Sequence, residues 1–177
     1  MSSVPALVDT IRQAQSIQLS IPDTLPSGKN WAPHQFSPSV QLVRIDEADA
    51  NVDQLPRKEV TPGSSVSLEM ELGEYIGKMR FVDVYRIAPA VDATSSSPLV
   101  AKIIDLGFFS PSVPPTRDDV EEVIANEFHF FNVLAPIQGT VVPRLAGLFG
   151  KGLLYCAIYE DGGRRLTWEE KEDSEIG

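Results

Sequence analysis

The sequence predicts an α+β fold: a five-stranded antiparallel sheet with one main helix, preceded by an irregular amino-terminal extension. Three observations lead to it. Short apolar or alternating runs separated by glycine, proline and serine recur from residue 66 to residue 159, as strands and their turns do. One stretch, residues 116–134, carries a sustained 3.6-residue apolar period. The first third of the chain is crowded with prolines that interrupt every candidate element, because proline lacks an N–H and locks φ.

A chain of 177 residues and 19.4 kDa has room for one medium domain, or for a small domain with a long extension. The texture favours the second division: an irregular Pro-rich extension over 1–62, a domain over 63–163 and a charged tail over 164–177. A hydrophobic share of 42% supports a core, while 14 prolines and 12 glycines imply much irregular chain. The net charge of -10 argues against broad contact with nucleic acid or an anionic membrane, since neither polyanion attracts it. The single Cys156 excludes an internal disulfide and lies in an apolar run, where a small core residue in a reducing compartment is expected. No run approaches the roughly 18 apolar residues of a membrane span, and the start lacks the basic and apolar regions of a secretion signal. Cytoplasm or nucleus is the expected location.

Within the extension, Val8, Ile11 and Ile17 suit one short amphipathic helix over about residues 5–17, and residues 40–45 suit a short strand. An acidic stretch follows over 46–53. The extension either packs loosely on the later domain or serves as a docking arm around Trp31. Pro62-Gly63 marks the boundary. Beyond it, residues 66–75 and 81–88 read as two strands joined by Gly77-Lys78-Met79-Arg80. Residues 91–97 form a Ser/Thr-rich turn, and the next strand is Pro98-Leu99-Val100-Ala101-Lys102-Ile103-Ile104. Alternation there places Val100, Lys102 and Ile104 on one face.

Thr116-Arg117-Asp118-Asp119 has the form of a capping box opening the helix, and acids crowd its first turns where the helix dipole favours them. Its apolar stripe reads Val120, Val123, Ile124, Phe128, Phe131 and Leu134, with Glu127 on that stripe. Glu127 and Lys102 are thus two ionisable groups on faces expected to be buried, each costly without a partner. An ion pair between them satisfies both; the alternative for Lys102 is an exposed edge. His129 falls off the stripe and reads as a surface or boundary residue. Pro136 and Gln138-Gly139 end the helix, and two further strands follow over 145–149 and 153–159 with Gly150-Lys151-Gly152 between them.

A strand lysine paired with a glutamate on the next helix resembles the amino-terminal lobe of a protein kinase. The run from Glu127 through Gln138-Gly139-Thr140, Pro143-Arg144 and Gly147-Leu148 to Ile158-Tyr159-Glu160-Asp161-Gly162-Gly163 looks most like the fungal branch of that family. The resemblance implies that Lys102 holds nucleotide phosphates, Glu127 holds Lys102, Tyr159 stands behind the adenine, and Glu160 to Gly162 form the hinge. The alternative for the last segment is a plain turn. Leu99-Val100-Ala101-Lys102 lacks the extra residue of the family's Val-Ala-x-Lys. Aligned on Val84, the three glycines of the phosphate-covering loop fall on Gly77, Met79 and Val82, so two are replaced. An ordinary hairpin is the competing reading.

Most catalytic groups of that family lie in a second lobe, and no His-Arg-Asp or Asp-Phe-Gly occurs here. Asp105-Leu106-Gly107 is similar in letters but comes directly after the lysine strand. The resemblance therefore implies a kinase-like lobe without phosphotransferase activity of its own, with weak ATP contact through Lys102, Glu127, Gly77, Val84, Tyr159, Glu160 and Gly162, and no metal. The alternatives are a pseudokinase-type interaction module and a fragment of a longer active kinase. A lobe by itself leaves its lobe-facing surface open, so a covering protein partner or self-association is expected. An unrelated enzyme is the weakest reading, since no P-loop, Gly-x-Ser-x-Gly, His-Glu-x-x-His or dinucleotide fingerprint is present.

Overall fold

The computed structural model describes residues 4–20, 39–45, 67–79, 81–90 and 99–162. Its strands are β1 (Ser16–Ser20), β2 (Ser39–Arg44), β3 (Ser67–Met79), β4 (Val82–Pro89), β5 (Leu99–Asp105), β6 (Leu145–Lys151) and β7 (Leu154–Glu160), with helices α1 (Val4–Gln13) and α2 (Arg117–Val133). The strands close into a barrel in the order β1-β2-β6-β7-β5-β4-β3.

This overturns the expected five-stranded sheet with one main helix behind an irregular extension. β3 to β7 do form a contiguous antiparallel run, but such a run leaves backbone groups unpaired at both edges. β1 pairs in parallel with β3, β2 pairs antiparallel with β6, and β1 and β2 join antiparallel, so the sheet is mixed and closed. Both added strands alternate: Ile17 and Leu19 of β1, and Val40 and Leu42 of β2, are buried, with serine and glutamine between them. Ile17 belongs to β1, and the first helix stops at Gln13.

Two apolar layers result. Inside the barrel, Ile17, Leu42, Met70, Tyr85, Ala101, Phe149 and Cys156 form one cluster together with Val8 and Ile11 of α1. Burial pushes the Cys156 thiol up to about 12, so it stays a neutral core group. Outside, Ile124, Ala125 and Phe128 of α2 pack on Ile104, Leu148, Tyr155 and Ala157 of the sheet.

Polar side chains tie α1 to this frame. Arg44 donates to the carbonyls of Ile11 and, at 2.7 Å, Ala14 at the end of α1, while its guanidinium lies 4.7 Å from the Phe149 ring centroid. Arg12 donates to the Leu145 carbonyl and to Gln138 Oε1, both at 3.0 Å. The same Gln138 oxygen accepts from Leu145 N–H at 2.9 Å, and its amide nitrogen donates to the Phe131 carbonyl at 2.5 Å. The β6–β7 turn requires Gly152, whose φ is +60°.

Thr116 caps α2 in the expected capping box with Asp119. The buried face of α2 is rotated from the expected stripe: Val120, Glu121, Ile124, Ala125 and Phe128 are buried, while Val123 is 40% exposed. The expected boundary at Pro62-Gly63, the acidic stretch 46–53, Trp31, the turn 91–97 and the tail 164–177 lie outside the described residues.

Candidate functional site

β5 lays down the site by alternation. Leu99, Ala101 and Ile103 enter the barrel interior, so Val100, Lys102 and Ile104 point outward toward α2. Val100, two residues before Lys102, is therefore the residue that shares its face, and Ala101 is not. Backbone pairing aligns Gly77, Val84, Lys102, Ala157 and Leu148 across five strands. Val84 thus stands beside Lys102 and Gly77 lies one strand further along the same row, and a Cβ added at Gly77 would meet only open space.

Lys102 Nζ donates to Glu127 Oε1, joining β5 to α2. The side chains are 21% and 30% exposed, so the pair sits at the rim of the α2 interface and not in its interior. Tyr159 completes the cluster. Its hydroxyl donates to the same Glu127 oxygen at 3.1 Å, and Lys102 Nζ lies 4.8 Å from its ring centroid. Phe131 packs against the same ring in a tilted arrangement, 4.8 Å between centroids. Burial, and then the neighbouring Glu127 carboxylate, hold the Tyr159 hydroxyl well above the usual tyrosine range, so it remains a donor. Between the sheet and α2, Lys102, Ile124, Glu127, Phe128 and Tyr155 border a cavity of about 10 Å³, the room of about one water molecule.

The remaining expected positions lie at the end of β7. The Glu160 N–H is committed to the Arg144 carbonyl at 2.9 Å, and its carboxylate accepts from Arg144 N–H at 3.3 Å. Asp161 pairs with Arg86, which also lies 3.6 Å from Glu74; the Asp161 hydrogen bond is the main cause of a raised Arg86 pKa. Gly162 is exposed beside Pro143.

Sequence reasoning missed three buried carboxylates. Asp83 enters the barrel, where Tyr75 lies 3.5 Å from it. Asp105 accepts from Gly107 N–H at 2.8 Å and so caps the short turn Leu106–Phe108. Glu121, 4% exposed, accepts from the Tyr155 hydroxyl at 3.2 Å. A signal for Glu121 existed: with Ile124, Ala125 and Phe128 it makes an i, i+3, i+4, i+7 set. Its place among the acids of the first helical turns hid that.

Among the described residues no group of His, Cys, Asp and Glu is arranged to hold a metal ion, and no helix is long and apolar enough to cross a membrane. No protein-family model matches the sequence, and no curated protein is significantly similar to it.

Proposed function

We propose that this chain is a protein kinase-like nucleotide-binding lobe that holds ATP weakly and transfers no phosphoryl group by itself. The Lys102–Glu127 contact carries the reading, because it sets a phosphate-binding cation on a strand and holds it from the following helix. An ammonium has three N–H donors, and Glu127 needs one, so Lys102 can serve a phosphate oxygen at the same time. Val84 stands beside it on the next strand and Gly77 one strand further in the same row, and Tyr159 leads to the segment Glu160 to Gly162 that would meet the adenine edge. The lack of His-Arg-Asp and Asp-Phe-Gly in the sequence supports inactivity, and the Asp105 carboxylate is engaged as a cap. Cytoplasm or nucleus is the proposed location.

Thermal unfolding with ATP, with and without magnesium, tests the reading. At ten times Kd, ligand binding stabilises by about 1.4 kcal/mol, which raises the midpoint by roughly 3–5 °C. Lys102→Met should remove that rise, and radiolabel transfer from ATP to a generic protein substrate should stay at background. No ATP-dependent shift in the wild type refutes nucleotide binding, and Lys102-dependent transfer refutes inactivity.

A second reading, a module that engages another protein chain, is favoured by the exposed apolar residues Phe130, Val133, Ile137 and Val141, which are 63%, 60%, 38% and 76% accessible. The net charge of -10 disfavours a second copy as that partner. Equilibrium sedimentation of the wild type and Phe130→Ser tests the self-association alternative directly.

A further inference from the structure

β7 offers two tyrosines to α2. Tyr155 and Tyr159 are four residues apart on one strand, so both project from its outer face, and each donates its hydroxyl to a glutamate of α2. Tyr155 reaches Glu121 at 3.2 Å and Tyr159 reaches Glu127 at 3.1 Å. The two attachments differ in their surroundings. Tyr155 and Glu121 are only 1% and 4% exposed, whereas the Glu127 side chain is 30% exposed at the rim.

That difference assigns their roles. A carboxylate as dry as Glu121 is costly to leave without its donor, so α2 cannot turn or slide away from Tyr155 without losing that satisfaction. Water can replace a lost partner at the rim far more easily. One residue of helical slippage turns the side chains by about 100°, enough to carry Glu127 off Lys102. The dry contact sets the position of the helix, and the wet one follows.

We infer that Tyr155 and Glu121 are positioning residues, whose buried hydrogen bond fixes the rotation of α2 that holds the Glu127 carboxylate on Lys102. In tuning phosphate binding by Lys102 this rests on the nucleotide-binding reading; in setting the ion pair it does not.

The test is a double-mutant cycle of Lys102→Met and Glu127→Gln, read by urea unfolding of the full chain in the wild-type and Tyr155→Phe backgrounds, with ATP binding measured in parallel. The coupling between Lys102 and Glu127 should fall by at least half in Tyr155→Phe and be retained in Glu121→Gln, which keeps an acceptor for the Tyr155 hydroxyl. A merely structural Tyr155 would lower the midpoint and leave the coupling unchanged, which overturns the inference. If Tyr155→Phe does not fold, the cycle is run in Tyr155→Phe/Glu121→Leu, where no buried carboxylate is left without a donor, with the same two outcomes. Lost coupling in a protein that never binds ATP sinks the nucleotide reading and upholds the positioning role. Unchanged coupling in a protein that does bind ATP does the reverse.

Discussion

Replacing Arg44 with Met tests whether the amino-terminal segment is an integral part of the barrel. The guanidinium donates to the carbonyls of Ile11 and Ala14, which end α1, and lies over the Phe149 ring. Met retains much of the stem packing and removes the charge and the fork of donors. Hydrogen bonds from a charged group contribute about 1.5–3 kcal/mol each when dry; Arg44 is partly exposed, so the low end applies to the two. The cation over an aromatic face adds about 0.5–1 kcal/mol. Water can rehydrate part of the helix end, which leaves an expected loss of about 2–4 kcal/mol, a large part of a typical domain's 5–15 kcal/mol. With a urea slope near 2 kcal/mol/M, the midpoint should fall by about 1–2 M. Arg44→Lys should recover less than half, since a point charge does not reproduce the fork. A midpoint shift under about 0.3 M for Arg44→Met would show that closure by β1, β2 and α1 contributes little, and the barrel as described would be wrong.

Glu127→Ala should cost about 1–3 kcal/mol, less than a fully dry pair would, because both partners keep solvent contact; an unchanged melting midpoint would place Lys102 elsewhere. Gly147→Ala should cost about 1–3 kcal/mol by overpacking, since its Cβ would lie 2.7 Å from Arg44 Nη1 and 2.9 Å from Phe149 Cε2. Measured in the Arg44→Met background, its cost should shrink, and strict additivity would contradict the clash. Burial raises the Asp105 carboxyl above its usual range, partly opposed by the Gly107 N–H. The native state then holds the Asp105 proton to higher pH than the unfolded chain, so its contribution falls as pH rises from about 4 through the raised native value, and is level above it. Asp105→Asn keeps the acceptor for Gly107 and should remove that slope, gaining on the wild type near pH 7 and not near pH 3; parallel urea midpoints across that range would show otherwise.

Local patterns carried much of this structure. The alternation in β5 placed Lys102 on one face with Val100 and Ile104, the Thr116 to Asp119 box started α2, and the glycines around Lys151 placed the β6–β7 turn. Each is a matter of neighbouring residues, whose steric and hydrogen-bonding preferences act over a few positions. The orientation of α2 was less legible. Counting apolar residues put Val123 in the buried stripe and left Glu121 out, because a polar residue becomes a good interface residue only when a donor such as Tyr155 stands opposite it. Tyr155 lies 34 residues away, beyond any sequence window. The closed barrel was illegible for the same reason. Ile17 and Leu19 alternate, but five residues with prolines soon after them make a weak strand signal, and it becomes a strand by pairing with β2 and with the edge of β3.

By itself, then, the sequence determined which short segments extend or coil, and that one lysine and one glutamate would seek each other, since those outcomes follow from side-chain chemistry and local spacing. Tertiary structure alone decided that two strands from the proline-crowded start seal the sheet, and that Tyr159 joins Lys102 and Glu127 while Tyr155 takes Glu121. Edges must find complementary edges, and buried acids must find donors, wherever in the chain these happen to lie.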